Sequence, residues 1–180
     1  FDHKNILSST DLLDMGRIPG SMVIIGGGVI GCEFASIFNA FGTKVAVVEM
    51  LPSIVAAEDV NVVRFLQTFM KKKGISLHLG TKVTSLEGST GGVTATLENG
   101  SSLTAELALV SVGRKPNVEG IGLDEAGVKT EAGAVSAGTD MRTSAEKVFA
   151  AGDVTGGWFL AHVATREGVT AAENALGGDL

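Results

Sequence analysis

The amino-acid sequence predicts an α/β protein built on a doubly wound parallel sheet, and three observations carry that expectation. Met22 to Ile25 is an uninterrupted apolar run, the pattern of a strand covered on both faces rather than one. Directly after it the period changes: Ile30, Phe34, Ile37, Phe38 and Phe41 recur at three and four residues, one face of a helix, with Gly42 at its end. Lys44 to Glu49 then returns to a strand pattern. The 28 residues from Met22 to Glu49 are the size of one strand–helix–strand unit.

The other elements follow in order. Ser8, Ser9 and Thr10 offer hydroxyls to cap a short helix through Leu12-Leu13, which Pro19-Gly20 stops. A second helix is expected from Glu58 to Lys73, with acids in its first turn and an apolar stripe of Val62, Val63, Leu66, Phe69 and Met70. The lysines at 71, 72 and 73 suit its dipole, which accounts for them as a solvated helix end. Ile75 to Leu79 reads as a third core strand. Thr81–Glu87, Gly92–Glu98 and Ser101–Glu106 form a three-stranded antiparallel meander as the crossover to the next buried strand, Leu107–Val112. Asn99-Gly100 is expected to make a type I′ turn between the last two meander strands. From Asn117 to Asp140 the glycines at 120, 122, 127, 133 and 138 indicate loops with one short helix and one short hairpin. Val148–Ala151 reads as a brief strand and Leu160–Leu176 as a helix ended by Gly177-Gly178.

Composition narrows the function. The net charge of −6, from 14 Lys+Arg against 20 Asp+Glu, repels polyanions, so neither nucleic acid nor an anionic membrane surface is an expected partner. No apolar stretch approaches the ~20 residues of a membrane span, and no secretory signal pattern opens the sequence. The single cysteine, Cys32, has no partner for an intramolecular disulfide; it is expected to pack as a small apolar residue, and it points to a reducing, cytoplasmic location. His3, His78 and His162 lack metal-ligand spacing, so no metal site is expected. Twenty-five glycines in 180 residues, about twice the usual share, need an explanation of their own.

Part of it lies in Gly26-Gly27-Gly28-Val29-Ile30-Gly31, a G-x-G-x-x-G run that closes a strand and opens a helix. In a Rossmann-like fold Gly26 makes the tight turn, Gly28 lets a pyrophosphate approach the backbone, and Gly31 lets helix and strand pack closely. The phosphates would lie on free N–H groups at the helix start, favoured by its dipole. Glu49 ends the second strand, 18 positions after Gly31, where a carboxylate accepts hydrogen bonds from a ribose 2′-OH and repels a 2′-phosphate. Residues 50 to 57 contain no Lys or Arg to hold such a phosphate, so NAD(H) is preferred to NADP(H). Glu33 is expected in the first turn of that helix, where it either serves the dipole or meets the cofactor. Two more glycine loops follow strands, Val112-Gly113-Arg114-Lys115-Pro116-Asn117 and Ala150-Ala151-Gly152-Asp153-Val154.

These motifs, with Ser9-Thr10-Asp11-Leu12-Leu13, Val47-Val48-Glu49 and Leu160-Ala161-His162-Val163-Ala164, resemble those of the flavin-dependent pyridine nucleotide:disulfide oxidoreductases, in the same order and across essentially the whole chain. The resemblance implies that Gly26, Gly27, Gly28, Val29, Ile30, Gly31 and Glu33 hold the NAD pyrophosphate, with Glu33 reaching toward the nicotinamide. It implies that Glu49 binds the adenosine ribose, that Val83 lies near the adenine, and that Gly113 contacts the cofactor through its backbone. Asp153 resembles the family aspartate that bonds the ribityl chain of FAD. Phe159, Leu160, Ala161 and His162 resemble the turn and helix start that face the flavin.

Within the family the sequence is most similar to members that oxidise dihydrolipoamide to lipoamide with NAD+, homodimers of a 2-oxoacid dehydrogenase complex. Mercuric reductases, transhydrogenases and NADH oxidases share most of these motifs, and a standalone NAD-binding module without electron transfer is a further alternative. A full member also carries an FAD-binding unit with its own glycine motif, a C-x-x-x-x-C redox pair and a dimerisation domain with a His-Glu pair; none of these stands within the 180 residues. The resemblance therefore implies a piece of an enzyme. Residues 1–139 would be the NAD-binding domain and 140–180 the last strand and helix of an incomplete FAD domain. With one cysteine it would have no catalytic residue of its own and be inactive alone.

Overall fold

Within the parallel sheet the chain crosses from strand to strand through a helix or through an antiparallel meander. Residues 1–178 are described, in a computed structural model. In chain order the first part consists of β1 (Ile6–Leu7), α1 (Ser9–Leu13), β2 (Ser21–Ile25), α2 (Val29–Ala40), β3 (Lys44–Glu49), α3 (Val60–Lys72), β4 (Ser76–Leu79), β5 (Val83–Ser89), β6 (Gly92–Leu97), β7 (Ser102–Ala105) and β8 (Leu107–Val110). Strands β1-β8-β2-β3-β4 form one all-parallel sheet in that spatial order, and β5-β6-β7 a separate antiparallel sheet. The winding reverses between β2 and β8: the chain adds β3 and β4 on one side of β2, then crosses back through the meander to place β8 on the other.

The continuous apolar runs have a physical cause. Met22, Ile24, Val45, Val47, Leu107 and Leu109 pack in one core with Leu12, Ala35, Phe38 and Met70 of the helices. Val23, Val48 and Ala108, of opposite parity in β2, β3 and β8, pack instead with Val93, Ala95 and Leu97 of the antiparallel sheet. A sheet covered on both faces has no wet side to alternate with.

Local chemistry sets the helix ends. In α1 the Ser8 hydroxyl accepts from the Asp11 N–H at 3.3 Å while the Asp11 carboxylate accepts from the Ser8 N–H at 2.7 Å, a reciprocal cap. The Ser8 hydroxyl, the Ser8 N–H and then His3 hold the Asp11 carboxyl down to about 2. Helix α3 starts two residues later than expected, at Val60, because the Asp59 carboxylate is its cap, accepting from Asn61 and Val62 N–H. Its buried stripe is narrower too: Val63 and Met70 are buried while Val62 and Phe69 are exposed. In α2 the buried face is Gly31, Cys32, Ala35 and Phe38; the first three are small and let the helix lie close to the sheet, while Ile37 and Phe41 stay exposed. Glu33 falls in the second turn of α2, not the first, since the helix opens at Val29.

The Asn99-Gly100 hairpin is not a type I′ turn. Only Gly100 has positive φ, +82°, and Leu97 N–H donates to Ser101 O at 2.8 Å across a three-residue loop, the arrangement in which the left-handed residue absorbs a bulge.

The chain divides into two compact units, Phe1–Gly113 and Arg114–Leu180. The second holds the hairpin β9 (Thr130–Glu131) and β10 (Ala134–Val135), a 3-10 helix at Gly152–Thr155, and α4 (Ala161–Ala175). The expected boundary at 139/140 falls inside this unit because the hairpin packs onto the 3-10 helix; a Cβ built on Gly156 would lie 2.7 Å from Ala134 Cβ. The short helix expected between 117 and 140 is a single turn, Ala126 N–H to Gly122 O, broken by Gly127 at φ +71°. Val148–Ala151 is not a strand: Phe149 makes one isolated bridge to Arg142, whose guanidinium lies 5.0 Å from its ring. Helix α4 ends as expected at glycines, Gly178 N–H reaching Glu173 O and Gly177 N–H reaching Asn174 O. No helix among the described residues is long and apolar enough to cross a membrane.

Candidate functional site

The glycine run lies at the carboxyl edge of the parallel sheet, between β2 and β8, where the strand order reverses and open α/β sheets leave a crevice. Each glycine answers a different demand. Gly26 has φ +106°, and a Cβ there would collide with the Ser111 carbonyl just past β8; its N–H is tied to Val48 O at 2.9 Å. A Cβ on Gly31 would overlap the Gly26 carbonyl oxygen, so α2 lies as near the turn as a backbone allows. Gly28 is the opposite case: exposed, extended (φ −70°, ψ −175°), with nothing within 4 Å of a Cβ built on it. It is the N-cap of α2 and no side chain caps the helix. The N–H groups of Val29, Ile30 and Gly31 lack i−4 carbonyls within the helix, so this end presents donors and positive potential to the open space.

Glu49, half-buried at the end of β3, stands beside the turn. One carboxylate oxygen accepts from Gly27 N–H at 2.7 Å and the other from Leu51 N–H at 2.8 Å. Those bonds fix the carboxylate and leave further lone pairs for hydroxyl donors. Thr81 N–H donates to Glu49 O at 3.2 Å, which draws the turn before β5 to the same edge; Val83 opens β5 two residues on and packs in the second core. Gly113 closes the first unit, exposed at φ +146°. The structure thus gathers Gly26, Gly27, Gly28, Val29, Ile30, Gly31 and Glu49 at one edge, with Glu33 on the exposed side of α2.

Cys32 is buried under this turn, its thiol within 3.4 Å of Gly27 O. Burial first, then the Glu49 and Glu33 carboxylates, push the thiol up to about 11. Since only the thiolate is nucleophilic, iodoacetamide at about pH 8 is expected to alkylate the denatured chain and to spare the folded one. Mass spectrometry of the two reactions checks this, and alkylation of the folded chain at a free-thiol rate would contradict it. Among the described residues no three His, Cys, Asp or Glu side chains converge as a metal site.

The second unit holds the remaining expected residues. Gly152, at φ +81°, opens the 3-10 helix, and its N–H donates to Glu167 of α4 at 2.6 Å. Asp153 faces Arg114 at 3.6 Å, and both are substantially exposed. Phe159 stands in the left-handed region at φ +53°, and Leu160 is the N-cap of α4 with no side-chain hydrogen bond. Ala161 and His162, both exposed, begin that helix.

Three contributors escape the sequence motifs: Ser111, whose hydroxyl donates to Ile25 O and Gly26 O; the loop pair Ile54–Val55 on Gly27; and Glu167. Only Glu167's place one helical turn from Val163-Ala164 in the last motif could have marked it.

An all-parallel sheet with a glycine turn at its point of reversal, then a helix and a strand ending in an acid, is the construction of the dinucleotide-binding α/β class. Residues 1–168 match the family described as pyridine nucleotide-disulphide oxidoreductase, and the chain belongs to that family. It is 43% identical over 173 residues to the dihydrolipoyl dehydrogenase of Chlamydia muridarum, covering 96% of this chain and 37% of that protein. To one from Bacillus subtilis it is 40% identical over 187 residues, covering 98% and 38%. Among solved structures, LpdA from Mycobacterium tuberculosis matches with a TM-score of 0.92 at 30% identity, over 100% of this chain and 39% of that one. The HOCl-induced flavoprotein disulfide reductase RclA from Escherichia coli matches with a TM-score of 0.90 at 28% identity, over 97% and 40%. The chain therefore spans about two fifths of the length of these relatives.

Proposed function

We propose that this chain supplies the NAD(H) site of a flavoprotein that oxidises dihydrolipoamide to lipoamide, the reaction for which its curated relatives are named. The observation that carries the reading is the pairing, through Gly27, of an open helix start at Gly28 with a carboxylate fixed at Glu49. A pyrophosphate fits the first, since it needs backbone donors and no side chain in its way. The adenosine ribose fits the second; Val83 would lie near the adenine and Gly113 would contact the dinucleotide through its backbone. Glu33 would face the nicotinamide half.

The second unit fits part of a flavin site. Asp153 would accept from the ribityl hydroxyls, and Phe159 to His162 would set the uncapped start of α4 against the flavin, where its dipole favours added negative charge. When bound, FAD relays two electrons from a dithiol and NAD+ accepts them as hydride. Residues 1–139 would serve the NAD half and 140–180 the FAD half. We place the whole protein in the cytoplasm as a homodimer of a 2-oxoacid dehydrogenase complex, and the 180 residues alone, with one cysteine, as inactive in dithiol exchange.

Calorimetric titration with NADH and NADPH tests the reading. NADH is expected to bind at least about tenfold tighter, because the Glu49 carboxylate bonds the ribose hydroxyl and repels a 2′-phosphate. Glu49→Gln keeps a carbonyl for the Gly27 N–H but removes the charge and the acceptor of the Leu51 N–H, so NADH weakens by about tenfold and the preference over NADPH shrinks. Equal affinities in the unaltered chain, or none for NADH, would overturn the assignment.

A further inference from the structure

The loop between β3 and α3 grips the glycine turn from behind. Val55 N–H donates to the Gly27 carbonyl at 2.8 Å. Ile54 is wholly buried, and its Cγ2 lies 2.9 Å from where a Gly27 Cβ would stand. Val55 itself has φ +38°, a left-handed conformation that β-branched residues rarely adopt. Such strain persists only where the surroundings over-determine it. Here it brings an N–H onto a carbonyl that otherwise meets the weak thiol donor of Cys32 at 3.4 Å.

The consequence passes through a single peptide plane. A trans peptide holds its C=O and N–H on opposite sides. With the Gly27 carbonyl turned inward onto Val55, the N–H of Gly28 in the same peptide points outward, into the space where nothing lies within 4 Å of a Gly28 Cβ. The flipped peptide would put a carbonyl oxygen there, which repels an anion.

We infer that Val55 is a positioning residue of the dinucleotide site: its backbone N–H, seated by Ile54, fixes the peptide orientation that presents Gly28 N–H to a pyrophosphate. The inference rests on the NAD(H) reading above and adds residues outside the glycine motif to that site.

An amide-to-ester exchange tests it in the 180-residue chain, with α-hydroxyisovalerate at position 55 keeping the side chain and replacing the N–H by oxygen. Affinity for ADP-ribose and for NADH is expected to fall about tenfold while adenosine, which has no phosphate, binds unchanged. Val55→Gly keeps the N–H and is expected to hold ADP-ribose within about threefold of the unaltered chain. Ile54→Leu, which keeps the side-chain volume but removes the Cγ2 methyl from the seat, gives a smaller loss of the same ADP-ribose-specific kind. Unchanged ADP-ribose affinity in the ester chain, or an equal loss for adenosine in either the ester or the Ile54→Leu chain, would overturn the inference alone. Failure of the unaltered chain to bind NADH would overturn the NAD(H) reading and this inference with it.

Discussion

Gly28→Asp is expected to leave the fold as stable as before or slightly more so, and to abolish NADH binding. The two effects have separate causes at one residue. Gly28 is the N-cap of α2 with extended φ and ψ that any residue adopts, and a Cβ there meets nothing. Aspartate is among the best N-cap residues; its carboxylate accepts from the free N–H groups and suits the helix dipole, a gain of a few tenths to about 1 kcal/mol over glycine. That corresponds to a rise of roughly 1–3 °C in melting temperature. The same carboxylate occupies the donors the pyrophosphate needs and sets a negative charge against it. Like charges about 4 Å apart at an effective dielectric near 20 cost about 4 kcal/mol, so the loss should exceed about a hundredfold. Thermal melts and NADH titration on the same sample check both. A protein that binds NADH normally with aspartate at 28 would show that the dinucleotide lies elsewhere, and one that unfolds would show that the open space is not open.

The glycine motif was legible because it obeys a local rule: strand, turn and helix are adjacent in sequence, and a backbone approaching a ligand admits no other residue type. The core strands were legible for a similar reason, since burial on both faces leaves an unbroken apolar run at Met22–Ile25 whatever lies beyond. What was hidden depends on partners far along the chain. β1 is two residues, Ile6–Leu7, too short for any period, and exists only because β8, about a hundred positions later, offers it a parallel edge. Distance from the motif points the Glu49 carboxylate to a ribose. That it also holds Gly27 N–H follows from the pairing of β2 with β3, which no spacing rule contains. Val55 at positive φ contradicts the propensity of its own side chain, and local preference fails at such strained positions by definition. The helix stripes erred in the same direction. Large apolar residues at helical spacing mark Ile37 and Phe41 for the interior, whereas Gly31 and Ala35 bring the α2 backbone close to the sheet and, of the large residues of the helix, only Phe38 is buried beside them.

That close approach makes Gly31→Ala strongly destabilising although its backbone conformation admits alanine. Gly31 has ordinary helical φ, so alanine should by propensity strengthen α2 by up to about 1 kcal/mol. Packing reverses the sign. The added Cβ overlaps the Gly26 carbonyl oxygen, a backbone atom, and Gly26 has no slack. Its N–H is tied to Val48 O at 2.9 Å, its carbonyl accepts from the Ser111 hydroxyl at 3.3 Å, and its own Cβ position is blocked by Ser111. Relief therefore requires α2 to move away from the sheet, which loosens the contacts of Cys32, Ala35 and Phe38 together. Overpacking against a fixed neighbour costs about 3 kcal/mol or more, equivalent to roughly 10 °C in melting temperature for a chain of this size. Gly42→Ala is the matched comparison. Gly42 has φ +92°, so alanine there pays the left-handed penalty of about 1–2 kcal/mol, but nothing stands within 4 Å of its Cβ. Circular-dichroism melts should therefore rank Gly31→Ala well below Gly42→Ala, the reverse of what backbone conformation alone dictates. If the two rank the other way, the turn yields, and the third glycine of the motif is not there for close packing.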